Sequence, residues 1–182
     1  MLYIVTALKP EAQAFVDKYK LTKSKLQNYT LFQNQDIKLI ISGLGVQNAR
    51  LATQTLINHF DISDDDFYLN IGICAASKEH NIGDLIEIGA IYHEDICYVF
   101  DTTKACITCL DQESSNTQHK IADMESYGFY DAVIHNPAIK NFHILKVVSD
   151  HFEPQKVTKE KTKTLIFHAI DNIHTIINKD FS

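Results

Sequence analysis

Three carboxylates of this 182-residue chain fall where regular structure begins or ends. Glu11 follows the apolar run "LYIVTAL" and lies in the opening turn of a helix whose first turn suits Pro10. Glu125 sits near the head of "ADMESYGFYDAV", a helical pattern in which, at about 100° per residue, it shares a face with Phe129, Ala132 and Val133. That face is apolar, an expensive place for a charge that lacks hydrogen-bond donors. Asp150 closes the apolar run "FHILKVVSD". Open α/β sheets bind ligands at the carboxyl ends of their strands. If these strands are parallel neighbours, the three carboxylates meet there, able to accept hydrogen bonds from a ligand and to exchange protons with it. Each acid also has a plainer explanation. The helix dipole favours an acid in a first turn by roughly 0.3–1 kcal/mol. That covers Glu11 as well as a ligand would, but leaves the apolar-facing Glu125 unexplained. Asp150, shortly before Pro154, also fits a helix N-cap or a simple turn.

The elements that must position these acids interleave along the chain. "LYIVTAL" lacks strict alternation and reads as a buried strand, with a helix following to about Lys20. "YTLFQNQDIKLIISG" predicts two strands that turn near Asn34–Asp36. "VQNARLATQTLINHF" predicts a helix with Val46, Ala49, Leu56 and Ile57 facing the core. "FYLNIGICAA", "LIEIGAIYHED", "ICYVF", "ACITCL" and "FHILKVVSD" predict strands, and "VTKEKTKTLIFHAIDNIHTII" a closing helix. With no repeat, low-complexity tract or linker, the pattern predicts one α/β domain over residues 1–182 with a mostly parallel or mixed sheet. In "SGLGVQNAR", Gly43 and Gly45 lie between a strand and a helix, where backbone N–H groups could approach an anion or a sugar. A tight turn is the plainer reading. Asn48, standing where a third glycine would be, removes the dinucleotide-binding fingerprint.

Apolar residues make up 45% of the chain, enough for a substantial core. A net charge of −6 and a single arginine, Arg50, argue against nucleic acid as a partner. No apolar run reaches the roughly 18 residues of a membrane span. "MLYIVTALKP" lacks the basic start and cleavage site of a signal peptide. These features predict a cytoplasmic protein with four reduced cysteines. Cys106 and Cys109 read as strand positions; three apart, they face opposite sides and share no metal. His93, Asp95 and Cys97 alternate and would share one strand face, as a ligand set or, more simply, as a polar edge. No metal and no cofactor is expected. The run Lys156 to Lys163 reads as a lid or as a solvated helix start.

Taken in order, these segments resemble the nucleoside phosphorylase and nucleosidase superfamily, and within it the methylthioadenosine/S-adenosylhomocysteine nucleosidases. "IVTALKPEA" is similar to the family's opening strand and loop, and "SGLGVQNA" to its glycine turn and following helix. "LNIGICAASKEHNIGDLIEIG", "AIYHED", "ADMES" and "VVSDHFE" resemble the segments that follow. The resemblance implies a three-layer α/β/α fold around a mixed, partly barrel-like sheet, and a homodimer or larger oligomer. It implies that Glu11 activates a water and that Glu125 holds the ribose hydroxyls, with Met124 against the sugar. It further implies that Asp150, in the Ser149–Asp150 motif, serves the purine base. Gly43 belongs to the implied substrate-binding turn.

The activity implied is cleavage of the N-glycosidic bond of a purine nucleoside, 5′-substituted or not, with water as co-substrate. Two ribose hydroxyls would supply the donors that an inward-facing Glu125 needs. Phosphorolysis is the second reading, but "NIGIC" places Asn70 and Ile73 where phosphate ligands would be expected, and "LKPEA" has no arginine loop. A nucleoside-binding relative without turnover is the third. Phe152 and His151, beside Asp150, read as base contacts or equally as surface positions.

Overall fold

Side-chain alternation on the first strand, β1 (Leu2–Thr6), sends Tyr3 and Val5 to one face and Ile4 to the other. The rest of the molecule is built on that division. The computed structural model describes residues 1–179. After β1 come α1 (Lys9–Tyr19), β2 (Thr22–Leu26), β3 (Tyr29–Gln33), β4 (Ile37–Ile41) and α2 (Val46–His59). Then follow β5 (Phe67–Ala76), β6 (Leu85–His93), β7 (Ile96–Val99), β8 (Ala105–Cys109), β9 (Ile121–Asp123), α3 (Ser126–Ile134), β10 (Asn141–Asp150) and α4 (Lys159–Lys179). On the Tyr3–Val5 face, α2 packs Ala52, Leu56 and Ile57 beside Phe129, Ala132 and Val133 of α3. On the Ile4 face, Ala12 and Phe15 of α1 meet Ile166, Ile170, Ile173 and Ile177 of α4, a helical stripe spaced four, three and four apart. The result is three layers, α/β/α.

The sheet is mixed. β1 runs parallel to β4 and β5, and β5 runs parallel to β10. β10 continues antiparallel to β6, which is parallel to β8, and β8 to β9. β9 returns antiparallel to β5 at Ala75 and Ala76, closing this half into a partial barrel. Parallel pairing puts the carboxyl ends of β1, β5 and β10 at one end of the sheet. A bulge there separates Val148, opposite Cys74, from Asp150, opposite Ala75, and leaves Ser149 as the extra residue. Such bulges re-aim side chains where a strand ends.

One strand is added to the expected elements and two local expectations are corrected. β2, "TKSKL", does not stand out in the sequence because its lysines are exposed on the sheet's edge, where charge blunts strand-to-strand association. His93, Asp95 and Cys97 do not share one strand: His93 ends β6, Glu94 and Asp95 turn with φ of 47° and 64°, and Cys97 lies on β7. The helix expected to include Asp123 to Glu125 starts at Ser126, because residues 121–123 are spent on β9. Cys106 is exposed and Cys109 buried, the opposite facing that their spacing on one strand dictates. Among the described residues, no helix is long and apolar enough to cross a membrane.

Candidate active site

Glu11 is fixed from three directions. It lies in the first turn of α1, is 2% exposed, and accepts backbone hydrogen bonds through both oxygens. Oε2 receives the N–H groups of Ala7 (3.0 Å) and Leu8 (2.8 Å), and Oε1 that of Ile73 on β5 (3.0 Å). A carboxylate offers about four acceptor positions, so one remains open on Oε1. Gly72 makes the reach to β5 feasible, since a Cβ there would lie 2.9 Å from Oε1. Burial raises the Glu11 pKa, opposed by the N–H groups of Leu8 and Ile73 and by the charge of Lys146. The carboxyl is held in one orientation, with one acceptor position left open among the described residues.

Glu125 is the N-cap of α3 rather than a first-turn residue, and its own side chain does not cap. Asp123 does that work. Its Oδ2 accepts from the Ser126 N–H (2.9 Å) and its Oδ1 from the Ser126 hydroxyl (2.6 Å). The freed Glu125 carboxyl accepts one bond, from Gly45 N–H at 2.9 Å, made where the chain enters α2 with φ of 95°. Among the described residues, the rest of its acceptor capacity is uncommitted. Burial first, and the charge of Asp123 second, push the Glu125 pKa up to about 7.

Behind these acids sits Lys146, 1% exposed. Alternation along β10 places it between Ile144 and Val148, on the α2–α3 side of the sheet. Its Nζ meets Asp123 Oδ2 at 2.8 Å. Burial alone would discharge this lysine, but the charges of Asp123, Glu125 and Glu11 outweigh that and raise its pKa. Lys146 is thus the fixed positive counterweight that lets three carboxyls share one interior.

Asp150 is held by its neighbours at the end of β10. Ser149 Oγ bridges the Cys74 carbonyl (3.1 Å) and Asp150 Oδ1 (2.6 Å), while Asp150 Oδ2 accepts from Glu153 N–H (2.8 Å). The chain then crosses a single 3-10 turn, Pro154–Lys156, into α4. Lys161 of the lysine run donates to the Ser149 carbonyl at 2.7 Å, and Lys163 pairs with Asp17 of α1. These two lysines are therefore tethers.

Glu11, Glu125 and Asp150 line the same cavity, of about 260 Å³, with Met124 and Ser149. Gly43 is not on its wall: the Gly43 N–H goes to the Ala7 carbonyl, and the glycine whose N–H reaches Glu125 is Gly45. His151 turns to the Ala76 carbonyl (2.9 Å), whereas Phe152 lines the cavity. Asn70 is buried and donates to the Val5 carbonyl. Sequence reasoning missed Asp123 and Lys146. The signal for Lys146 was present, because a lone charge inside an apolar run needs a buried partner.

No protein-family model matches the chain, and no curated protein matches its sequence. Solved structures do share its fold. The chain superposes on 5′-methylthioadenosine/S-adenosylhomocysteine nucleosidase from Helicobacter pylori, in complex with butyl-thio-DADMe-Immucillin-A, with a TM-score of 0.78 and 13% identity, covering 98% of this chain and 97% of that one. For 5′-methylthioadenosine nucleosidase of Arabidopsis thaliana the TM-score is 0.73 at 19% identity, over 94% and 95% of the two chains. For futalosine hydrolase of Helicobacter pylori it is 0.72 at 12% identity, over 94% and 97%. At such identities the likeness is one of architecture, and it extends over nearly the whole chain.

Proposed function

We propose that this chain is a single-domain purine nucleosidase, a hydrolase that cleaves the N-glycosidic bond of a nucleoside with water. The observation that carries this reading is the meeting of Glu11, Glu125 and Asp150, from three separate elements, on one sugar-sized cavity. Breaking the bond between sugar and base moves its electron pair onto the base and leaves positive charge on the sugar. Asp150 donates a proton to the departing purine at N7. Water adds to the sugar carbon and loses a proton to Glu11, whose Oε1 accepts only the Ile73 N–H among the described residues. Glu125 accepts hydrogen bonds from the two ribose hydroxyls, and the surrounding carboxylates stabilise the cationic sugar. The fold neighbours accord with this, since two of those named are nucleosidases and the third a hydrolase.

Phosphorolysis is disfavoured by charge. A phosphate dianion needs cations, yet the only arginine pairs with Asp131 (2.8 Å) and does not line the cavity, and Lys146 is committed to Asp123. A panel of purine nucleosides, assayed with and without phosphate, tests the reading. Free base is expected in both conditions. A strict phosphate requirement would overturn hydrolysis, and binding without any base release would point to the non-catalytic reading.

Glu125 gives the site a pH signature. Its pKa in the empty protein is about 7, and it must be ionised to accept two hydroxyl donors. Below about pH 7, binding a nucleoside therefore expels a proton, and affinity is expected to fall by up to about tenfold per pH unit as the medium is acidified. Calorimetry in buffers of different ionisation heat measures this. Proton release should fade above pH 7 and vanish in Glu125→Gln; uptake of a proton would contradict the assignment.

A homodimer fits the surface beside the site. Leu44 and Leu51 on and before α2, and Tyr92, Ile96 and Val99 on the β6–β7 hairpin, are exposed apolar residues. Leu44 also lines the cavity, so a second copy seated there would cover its edge. Light scattering should return twice the 20.7 kDa chain mass; a monomer at micromolar concentration would count against the pairing. A cytoplasmic location accords with the four free thiols.

A further inference from the structure

We propose that Lys161 is a positioning residue for the proton donor: its ammonium holds the Ser149–Asp150 peptide at the bulge of β10, and turnover depends on that hold; this rests on the nucleosidase reading above. The bulge leaves Ser149, which is buried, without a partner in the β5–β10 register. A buried carbonyl outside the register needs a donor. Lys161 Nζ supplies one at 2.7 Å, from twelve residues along the chain. A hydrogen bond from a charged donor is roughly twice as strong as a neutral one. The Ser149 carbonyl shares one rigid plane with the N–H and Cα of Asp150. Holding the carbonyl therefore holds the Cα from which the Asp150 carboxyl projects.

The carboxyl has its own anchors, the Ser149 hydroxyl at Oδ1 (2.6 Å) and Glu153 N–H at Oδ2 (2.8 Å). Ser149 Oγ also reaches β5 through the Cys74 carbonyl (3.1 Å), whereas Lys161 reaches in from α4. The acid is thus held between sheet and helix. α4 is a firm base for this, since Ile166 and Ile170 are fully buried in the core it shares with α1. Thr158 fixes the helix start, its Oγ1 accepting Lys161 N–H at 3.2 Å. The helix dipole disfavours a cation in that first turn, so the lysine charge does nothing for α4 itself, and the Ser149 carbonyl is the partner that accounts for it. Phe152, Pro154 and Val157, between the two ends of this contact, line the cavity, so the same bond closes one of its walls.

The test compares Lys161→Met, Lys161→Arg and Lys163→Met with the parent for kcat and KM on purine nucleosides, for urea unfolding, and for hydrogen exchange at Glu153 N–H. Lys163 is the control, because it pairs with Asp17 of α1 instead, and a surface ion pair contributes little. Lys161→Met is expected to lower kcat by roughly 10–100-fold, the cost of a displaced catalytic group, with a much smaller change in KM. Its urea midpoint should match that of Lys163→Met, which keeps parental turnover. Lys161→Arg still offers a charged donor and should recover most of the lost kcat. Exchange at Glu153 N–H should quicken in Lys161→Met alone. Exchange and kcat both at parental values in Lys161→Met overturn the assignment, as does a loss of kcat that merely follows stability in both methionine variants. A parent that releases no base from any purine nucleoside overturns the nucleosidase reading and this assignment with it, whereas an active parent with an unaffected Lys161→Met overturns this assignment alone.

Discussion

Lys146→Met is expected to destabilise the folded protein by about 3–5 kcal/mol, the usual result of removing one partner from a buried ion pair. The lysine and Asp123 side chains are 1% and 0% exposed and meet at 2.8 Å. Methionine fills the volume but leaves Asp123 uncompensated, with Glu125 and Glu11 close enough to feel the loss, since both owe part of their ionisation to Lys146. Asp123 also caps α3 through Ser126, so its protonation would loosen the helix start from which Glu125 projects. Urea unfolding measures the change. The double variant Lys146→Met with Asp123→Leu should recover part of the loss, because no orphan charge remains. A single variant within about 1 kcal/mol of the parent, well short of the loss a broken buried pair brings, would show that the lysine is not the counterweight described.

Asp150→Asn is expected to lower kcat by about 10²–10⁴-fold while leaving nucleoside affinity nearly unchanged. The amide fits the same place and can still accept from Glu153 N–H, but it has no acidic proton for the departing base. The interaction removed is one that matters in the transition state, so kcat and kcat/KM should fall together. Steady-state kinetics on a purine nucleoside decide the point. Parental turnover in Asp150→Asn would remove this residue from the mechanism.

The sequence carried the architecture well because apolar runs and helical stripes encode it locally. "LYIVTAL", "FYLNIGICAA" and "FHILKVVSD" are strands in the structure, and the spacing that buries Leu56 and Ile57 is visible in α2. The acids at the ends of these runs could be named for the same reason. What could not be read locally is how the sheet closes. The pairing of β9 with β5 and β8 brings Asp123 against Lys146 on β10, and three-residue β9 has no periodicity to detect. The same closure shortens α3 and makes Glu125 a cap position. The choice between Gly43 and Gly45 was equally hidden, since it depends on which N–H already has a carbonyl partner. Phe152 and His151 were named together by their place beside Asp150, and only the left-handed turn at Phe152, which no repeat encodes, decides which of them lines the cavity.

A crystal structure with a non-cleavable purine nucleoside analogue would test the central claim most directly. The account predicts both ribose hydroxyls on Glu125, the N7 edge of the base toward Asp150, and a water on the vacant side of Glu11 beneath the sugar. An analogue bound away from these three carboxylates, or a cavity that stays empty at saturating ligand, would contradict it.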